Sequence, residues 1–124
     1  FYEAVQAGHY TCFLGPETKL DMMYMPDAVN AAIGVMEASQ EGLEHRNAFN
    51  VTAMQLTPEL LAAQIQKHLP SFTMNYDVDP LRQAIANSWP DRIDDKAARK
   101  EWGWEPAFDI ESMTKDMLEH LIRV

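Results

Sequence analysis

One cysteine, Cys12, is all the thiol this chain has, and no apolar run reaches the roughly 18 residues that a membrane-spanning helix needs. A single thiol excludes an internal disulfide and fits a reducing compartment, so the cytoplasm is the expected location. The N-terminus lacks the basic, then apolar, then small-residue order of a secretion signal. Basic residues are scarce too: 10 Lys and Arg stand against 19 Asp and Glu, a net charge of −9. Neutralising nucleic-acid phosphates takes a basic stripe, and none is present. Neither nucleic acid nor a membrane is an expected partner, and the acids, spread along the chain, read as a solvated surface.

Chemistry-bearing patterns are also missing. The five glycines lie at 8, 15, 34, 42 and 103, too scattered for the clustered loop that brings a backbone against a dinucleotide pyrophosphate at a helix N-terminus. None of Tyr2, Tyr10, Tyr24 and Tyr76 is followed four residues later by Lys, the acid/base pair of short-chain dehydrogenases. His9, His45, His68 and His120 are far apart, with no i, i+4 pair of the kind that binds zinc. Asp94 and Asp95 are sequence neighbours, which do not face each other across a substrate, and the eight methionines read as core filler.

What is present describes one globular domain: 124 residues, 47% hydrophobic and 23% charged, with no repeat or low-complexity linker. Residues 1–7 read as a helix that starts abruptly, without a capping residue before Phe1, like the back half of a longer one. Tyr10, Cys12 and Leu14 alternate, Gly15-Pro16-Glu17-Thr18-Lys19 turns the chain, and Leu20, Met22 and Tyr24 alternate again. This predicts an antiparallel pair of short strands. Pro26 and Asp27 open a helix whose Val29, Ala32, Ile33 and Met36 share one apolar face, with Gly34 opposite them hinting at close packing. Residues 39–47 form a loop, and 48–52 a short strand that could sit inside a sheet. Thr57-Pro58-Glu59 is a helix start with threonine as cap and proline at the first helical position. Phe72, Met74 and Tyr76 alternate as a further strand. Residues 80–87 fit either a loop or a turn of helix, and Asp109 caps a last helix carrying Ile110, Met113, Met117 and Leu121. After the first helix the predicted order is β-β-α-β-α-β-α-α.

The most distinctive stretch is 88–106, which holds all three tryptophans. Asp94 is the expected N-cap of a short helix, Arg99 and Lys100 suit its last turn, and Gly103 suits the left-handed position that ends it. Trp102 and Trp104 straddle that glycine and are expected to pack the helix end onto the body. Trp89 lies outside the helix, because a residue before proline is pushed away from the α region. On these residues alone it either fills a core edge or walls a pocket.

Ser88-Trp89-Pro90, Ile93-Asp94-Asp95, Ala98-Arg99 and Trp102-Gly103-Trp104, taken with Phe49-Asn50-Val51-Thr52 and the block Asp21 to Asp27, carry a resemblance. Together they resemble the C-terminal part of the short-chain type of L-threonine 3-dehydrogenase, within the extended epimerase/dehydratase family. The likeness covers nearly the whole chain. The Asp21 to Asp27 block and the Trp102-Gly103-Trp104-Glu105-Pro106 ending are shared by many sugar-nucleotide enzymes of that family.

The resemblance implies an α/β fold: residues 1–124 as the C-terminal substrate-binding lid of an extended short-chain dehydrogenase, with short strands and four or five helices. The Rossmann half that binds NAD and carries the Ser/Thr, Tyr and Lys catalytic groups would lie outside the chain, leaving no catalytic, cofactor or metal residue here. It implies a homodimeric parent that oxidises L-threonine to 2-amino-3-oxobutanoate, with Trp89 against the bound amino acid. A nucleotide-sugar epimerase or dehydratase is the alternative within the family. Those enzymes usually place an arginine just before the Asp-aromatic block and another ahead of the helix motif, where this chain has Leu20 and only Arg82. The other alternative is a non-catalytic module with an exposed apolar face.

Overall fold

Prolines and capping side chains decide where the helices begin. The computed structural model describes residues 1–122, and among them the elements run α1 (Tyr2–Ala7), β1 (His9–Cys12), β2 (Leu20–Met22), α2 (Met25–Glu37), β3 (Met54–Leu56), α3 (Pro58–His68), β4 (Thr73–Tyr76), α4 (Pro80–Ser88), α5 (Lys96–Trp102) and α6 (Ile110–Ile122). Thr57 accepts the Leu60 N–H at 3.2 Å, with Pro58 opening α3. Asp109 and Ser112 exchange hydrogen bonds at the start of α6, 2.8 Å to the Asp109 carboxylate and 3.0 Å to the Ser112 hydroxyl. Asp79 accepts from Leu81 and Arg82 at 2.9 and 3.1 Å, which makes 80–88 a true helix and brings the helices to six. At α5 the cap is shifted by one residue. Asp95 holds the N-cap position, while the Asp94 carboxylate accepts the Lys96 N–H at 3.0 Å. Gly103 ends that helix at φ 76, as its position predicts.

The strands pair differently from the expected hairpin. β1 runs parallel to β4, from His9↔Thr73 to Cys12↔Tyr76, and β2 runs antiparallel to β3, from Leu20↔Leu56 to Met22↔Met54. The turn between β1 and β2 diverts the chain because its backbone groups are taken elsewhere. Gln83 on α4 accepts the Gly15 N–H at 2.7 Å, and Pro16 C=O accepts the Glu59 N–H at 3.1 Å. Residues 48–52, expected as a strand, carry no ladder; the strand begins at Met54. Phe49 and Val51 still turn the same way, packing against the Ala31, Ala98 and Trp104 cluster.

Three small cores hold these elements together. Ala4, Ala62, Ile65 and Phe72 join α1 and α3 to the entry of β4. Cys12, Leu14 and Ala86 join β1 to α4, and Ala31, Ala98 and Trp104 join α2 to α5 and its exit. In the last of these α2 turns its small side inward: a Cβ at Gly34 would sit 3.1 Å from the Trp102 ring. Asp27, 1% exposed, accepts the Ala107 and Phe108 N–H groups at 2.9 and 3.1 Å from the same side of α2. The apolar face of α2 read from the sequence therefore points outward, with Val29 51%, Ile33 47% and Met36 83% exposed. Only small residues fit beneath an indole, and the large ones are left outside.

The 39–47 loop is pinned to α5 by Glu101. Its carboxylate accepts the Glu44 and His45 backbone N–H groups, both at 2.9 Å, and pairs with the His45 ring. Burial pushes this carboxyl up, but the hydrogen bonds from His45 and Glu44 outweigh it and hold it below the ordinary value of 4.5. A carboxyl depressed in the folded state contributes stability above its unfolded value and loses it as pH falls through the folded one.

Two outcomes follow from this packing. Gly34→Leu should destabilise the chain by about 1 to 3 kcal/mol in chemical denaturation, because the added side chain meets the Trp102 ring; an unchanged midpoint would show that the ring has room. Glu101→Gln should melt earlier than wild type at neutral pH, with the gap closing below about pH 4.5. A gap that stays constant down to acid pH contradicts the pinning role.

Candidate functional site

Trp89 sits where α4 stops. Its N–H still reaches the Ala86 carbonyl at 3.2 Å, and its φ of −80 and ψ of 151 are the extended values imposed by Pro90. The residue is 59% exposed, so the indole is not walled into a core edge. Leu81 and Ile85 precede it at i−8 and i−4, exposed as well, so α4 presents one apolar edge ending in the indole.

Beyond Pro90 the chain crosses the β2–β3 pair and is gripped there twice. Gln55 donates its side-chain N–H to the Asp91 carbonyl at 2.7 Å, and Asp21 accepts the Ile93 N–H at 2.5 Å. The other Asp21 oxygen takes the Thr52 hydroxyl. Below the loop a cavity of about 340 Å³ is lined by Asp21, Thr52, Gln55, Arg92, Asp95 and Arg99. Asp95 holds the Arg99 guanidinium at 2.9 to 3.0 Å. Asp94 and Asp95 are thus a cap and an ion-pair partner, not a facing carboxylate pair.

A second cavity, about 600 Å³, opens between α2, the 39–47 loop and Trp102, with Ala31, Val35, Leu43, His45 and Phe49 among its walls. Trp89 takes no part in it. Arg82, the one arginine the sequence offered for a diphosphate, lies 4.4 Å over the Phe13 ring and 3.8 Å from Asp79. Among the described residues no three His, Cys, Asp or Glu side chains are grouped to hold a metal. First-turn N–H groups of α3, α4, α5 and α6 are taken by Thr57, Asp79, Asp94 and Asp109 of the chain itself.

Asp21 and Gln55 escaped the sequence reading of the site. Asp21 appeared there only within a shared block, and Gln55 not at all. Their partnership depends on strand register, Asp21↔Gln55, which three-residue strands barely signal.

No protein-family model matches the chain. A curated epimerase/dehydratase of unassigned function from Staphylococcus aureus is 53% identical over 119 residues, covering 96% of this chain and 37% of the relative. Among solved structures, the L-threonine dehydrogenase of Phytophthora infestans superposes with a TM-score of 0.95 at 49% identity, over 99% of this chain and 39% of that one. That of Clostridium difficile gives 0.95 at 48%, over 98% and 38%. The chain therefore spans well under half the length of the relatives it matches. Over nearly its whole length it is similar to the C-terminal part of L-threonine dehydrogenases, including a GalE-like one from Cupriavidus necator, and of a curated epimerase/dehydratase.

Proposed function

We propose that this chain is the substrate-binding, C-terminal portion of an NAD-dependent L-threonine 3-dehydrogenase, which oxidises L-threonine to 2-amino-3-oxobutanoate. The observation that carries the reading is the open indole of Trp89, fixed by Pro90 at the end of α4, in a chain nearly half identical to two L-threonine dehydrogenases. An apolar wall suits an amino acid whose side chain ends in a methyl group. It covers the methyl, excludes water and leaves the hydroxyl as the group free to react. The nucleotide-sugar alternative is disfavoured by Leu20 in β2 and by the stacking of Arg82 on Phe13, which leave a diphosphate without its usual clamp.

NAD and the catalytic groups belong to polypeptide beyond these residues, in a cytoplasmic homodimer paired through helices outside this chain. The outward stripe of Val29, Ile33 and Met36 on α2 supports that division, as does the absence of a ladder at 48–53: both are surfaces that a larger body would cover.

The complete polypeptide that carries these residues should reduce NAD with L-threonine and not with UDP-sugars, followed by the absorbance of the reduced nicotinamide. Residues 1–124 alone should give no turnover. In the complete polypeptide, Trp89→Ala should raise the threonine KM about tenfold with the NAD KM unchanged, the scale expected when one apolar contact is lost. No reduction of NAD with L-threonine, epimerisation or dehydration of a UDP-sugar, or unaltered threonine kinetics in Trp89→Ala overturns the reading.

A further inference from the structure

Between α4 and α5 the chain must cross seven residues, 89–95, without secondary structure of its own. Such a segment wanders unless its backbone groups find partners. Here the partners come from two residues that sit directly opposite each other in the β2–β3 ladder, Asp21 and Gln55. Opposed residues of an antiparallel pair project from the same face of the sheet, so an acceptor and a donor stand side by side. The loop offers the complementary pair: the Ile93 N–H goes to the Asp21 carboxylate and the Asp91 carbonyl receives the Gln55 amide.

The anchors differ in strength. Asp21 is partly buried and its carboxylate accepts a second hydrogen bond from the Thr52 hydroxyl, so it is held from two sides. Gln55 is exposed and adds only the donor. The two contacts flank Arg92, and the first of them lies just beyond Pro90, whose ring restricts the backbone next to Trp89. Position is thus transmitted from the sheet through a rigid residue to the indole.

We infer that Asp21 and Gln55 are positioning residues for Trp89: a cross-strand donor and acceptor pair that sets where the 89–95 loop, and with it the indole, stands relative to bound substrate. The consequence for substrate rests on the threonine reading above; the clamp itself does not. Neither residue touches the reacting atoms in this account.

The test uses the complete polypeptide labelled with fluorotryptophan, with the Trp89 resonance assigned by its loss in Trp89→Phe. Gln55→Ala changes an exposed side chain and leaves Asp21 in place, so it should fold. It should shift or broaden the Trp89 fluorine signal and leave those of Trp102 and Trp104 unmoved. The threonine KM should rise about fivefold, with kcat within about twofold. Asp21→Ala should do the same, and Asp21→Asn should restore the wild-type signal. Its amide oxygen still accepts the Ile93 N–H, and the Thr52 hydroxyl can turn to accept from its NH₂ group. A Trp89 signal unmoved in both alanine variants overturns the clamp. A signal that moves while the threonine KM stays fixed upholds the clamp and overturns the substrate role of the indole.

Discussion

A single left-handed residue lets two indoles pack in different directions, and much of the molecule depends on it. With Gly103 at φ 76, Trp102 turns back onto α2 at Gly34, while Trp104 continues inward, 5% exposed, and donates its indole N–H to the Thr52 carbonyl at 3.1 Å. The two rings lie 5.8 Å apart, beside a fully buried Ala98. Three segments distant in sequence, α2, residues 48–52 and α5, are thereby held as one unit. A side chain with a Cβ at 103 would have to adopt a conformation that L-residues rarely take.

That unit decides what stays outside. The room beneath Trp102 admits only Gly34 and its small neighbours, so the large apolar residues of α2 are presented on the opposite side. The backbone of 48–53 runs past without a neighbouring strand. On the far edge, α4 brings Leu81, Ile85 and Trp89 to the surface in one row, and the β2–β3 pair takes hold of the loop that follows. The same polar chemistry that stabilises the loop sets the direction of the indole, which links a two-strand ladder to the proposed handling of substrate.

Local chemistry was legible in the sequence wherever it was local. Thr57 and Asp109 cap the helices they were expected to cap, Gly103 stops α5, and Gly34 marks close packing. The likeness to L-threonine dehydrogenases was legible through short motifs around the tryptophans. The misreadings share a cause. Periodicity shows that α2 has an apolar face, but not whether this chain or something else lies against it. Alternation at Phe49 and Val51 shows a strand-like pattern, but a strand needs a neighbour. The hairpin expected from 10–24 failed because Gln83 and Glu59, distant in sequence, engage the turn. The role of Asp21 and Gln55 lay hidden because register is a property of two segments at once.

Hydrogen exchange on the complete polypeptide tests most directly whether these residues form one side of a larger fold. The amides of 48–53, which have no ladder here, and those along α2 should exchange as slowly as the amides of β1 and β4. Fast exchange at 48–53 in the complete polypeptide, with β1 and β4 protected, would contradict it and leave the exposed stripe of α2 as the surface of a free-standing module.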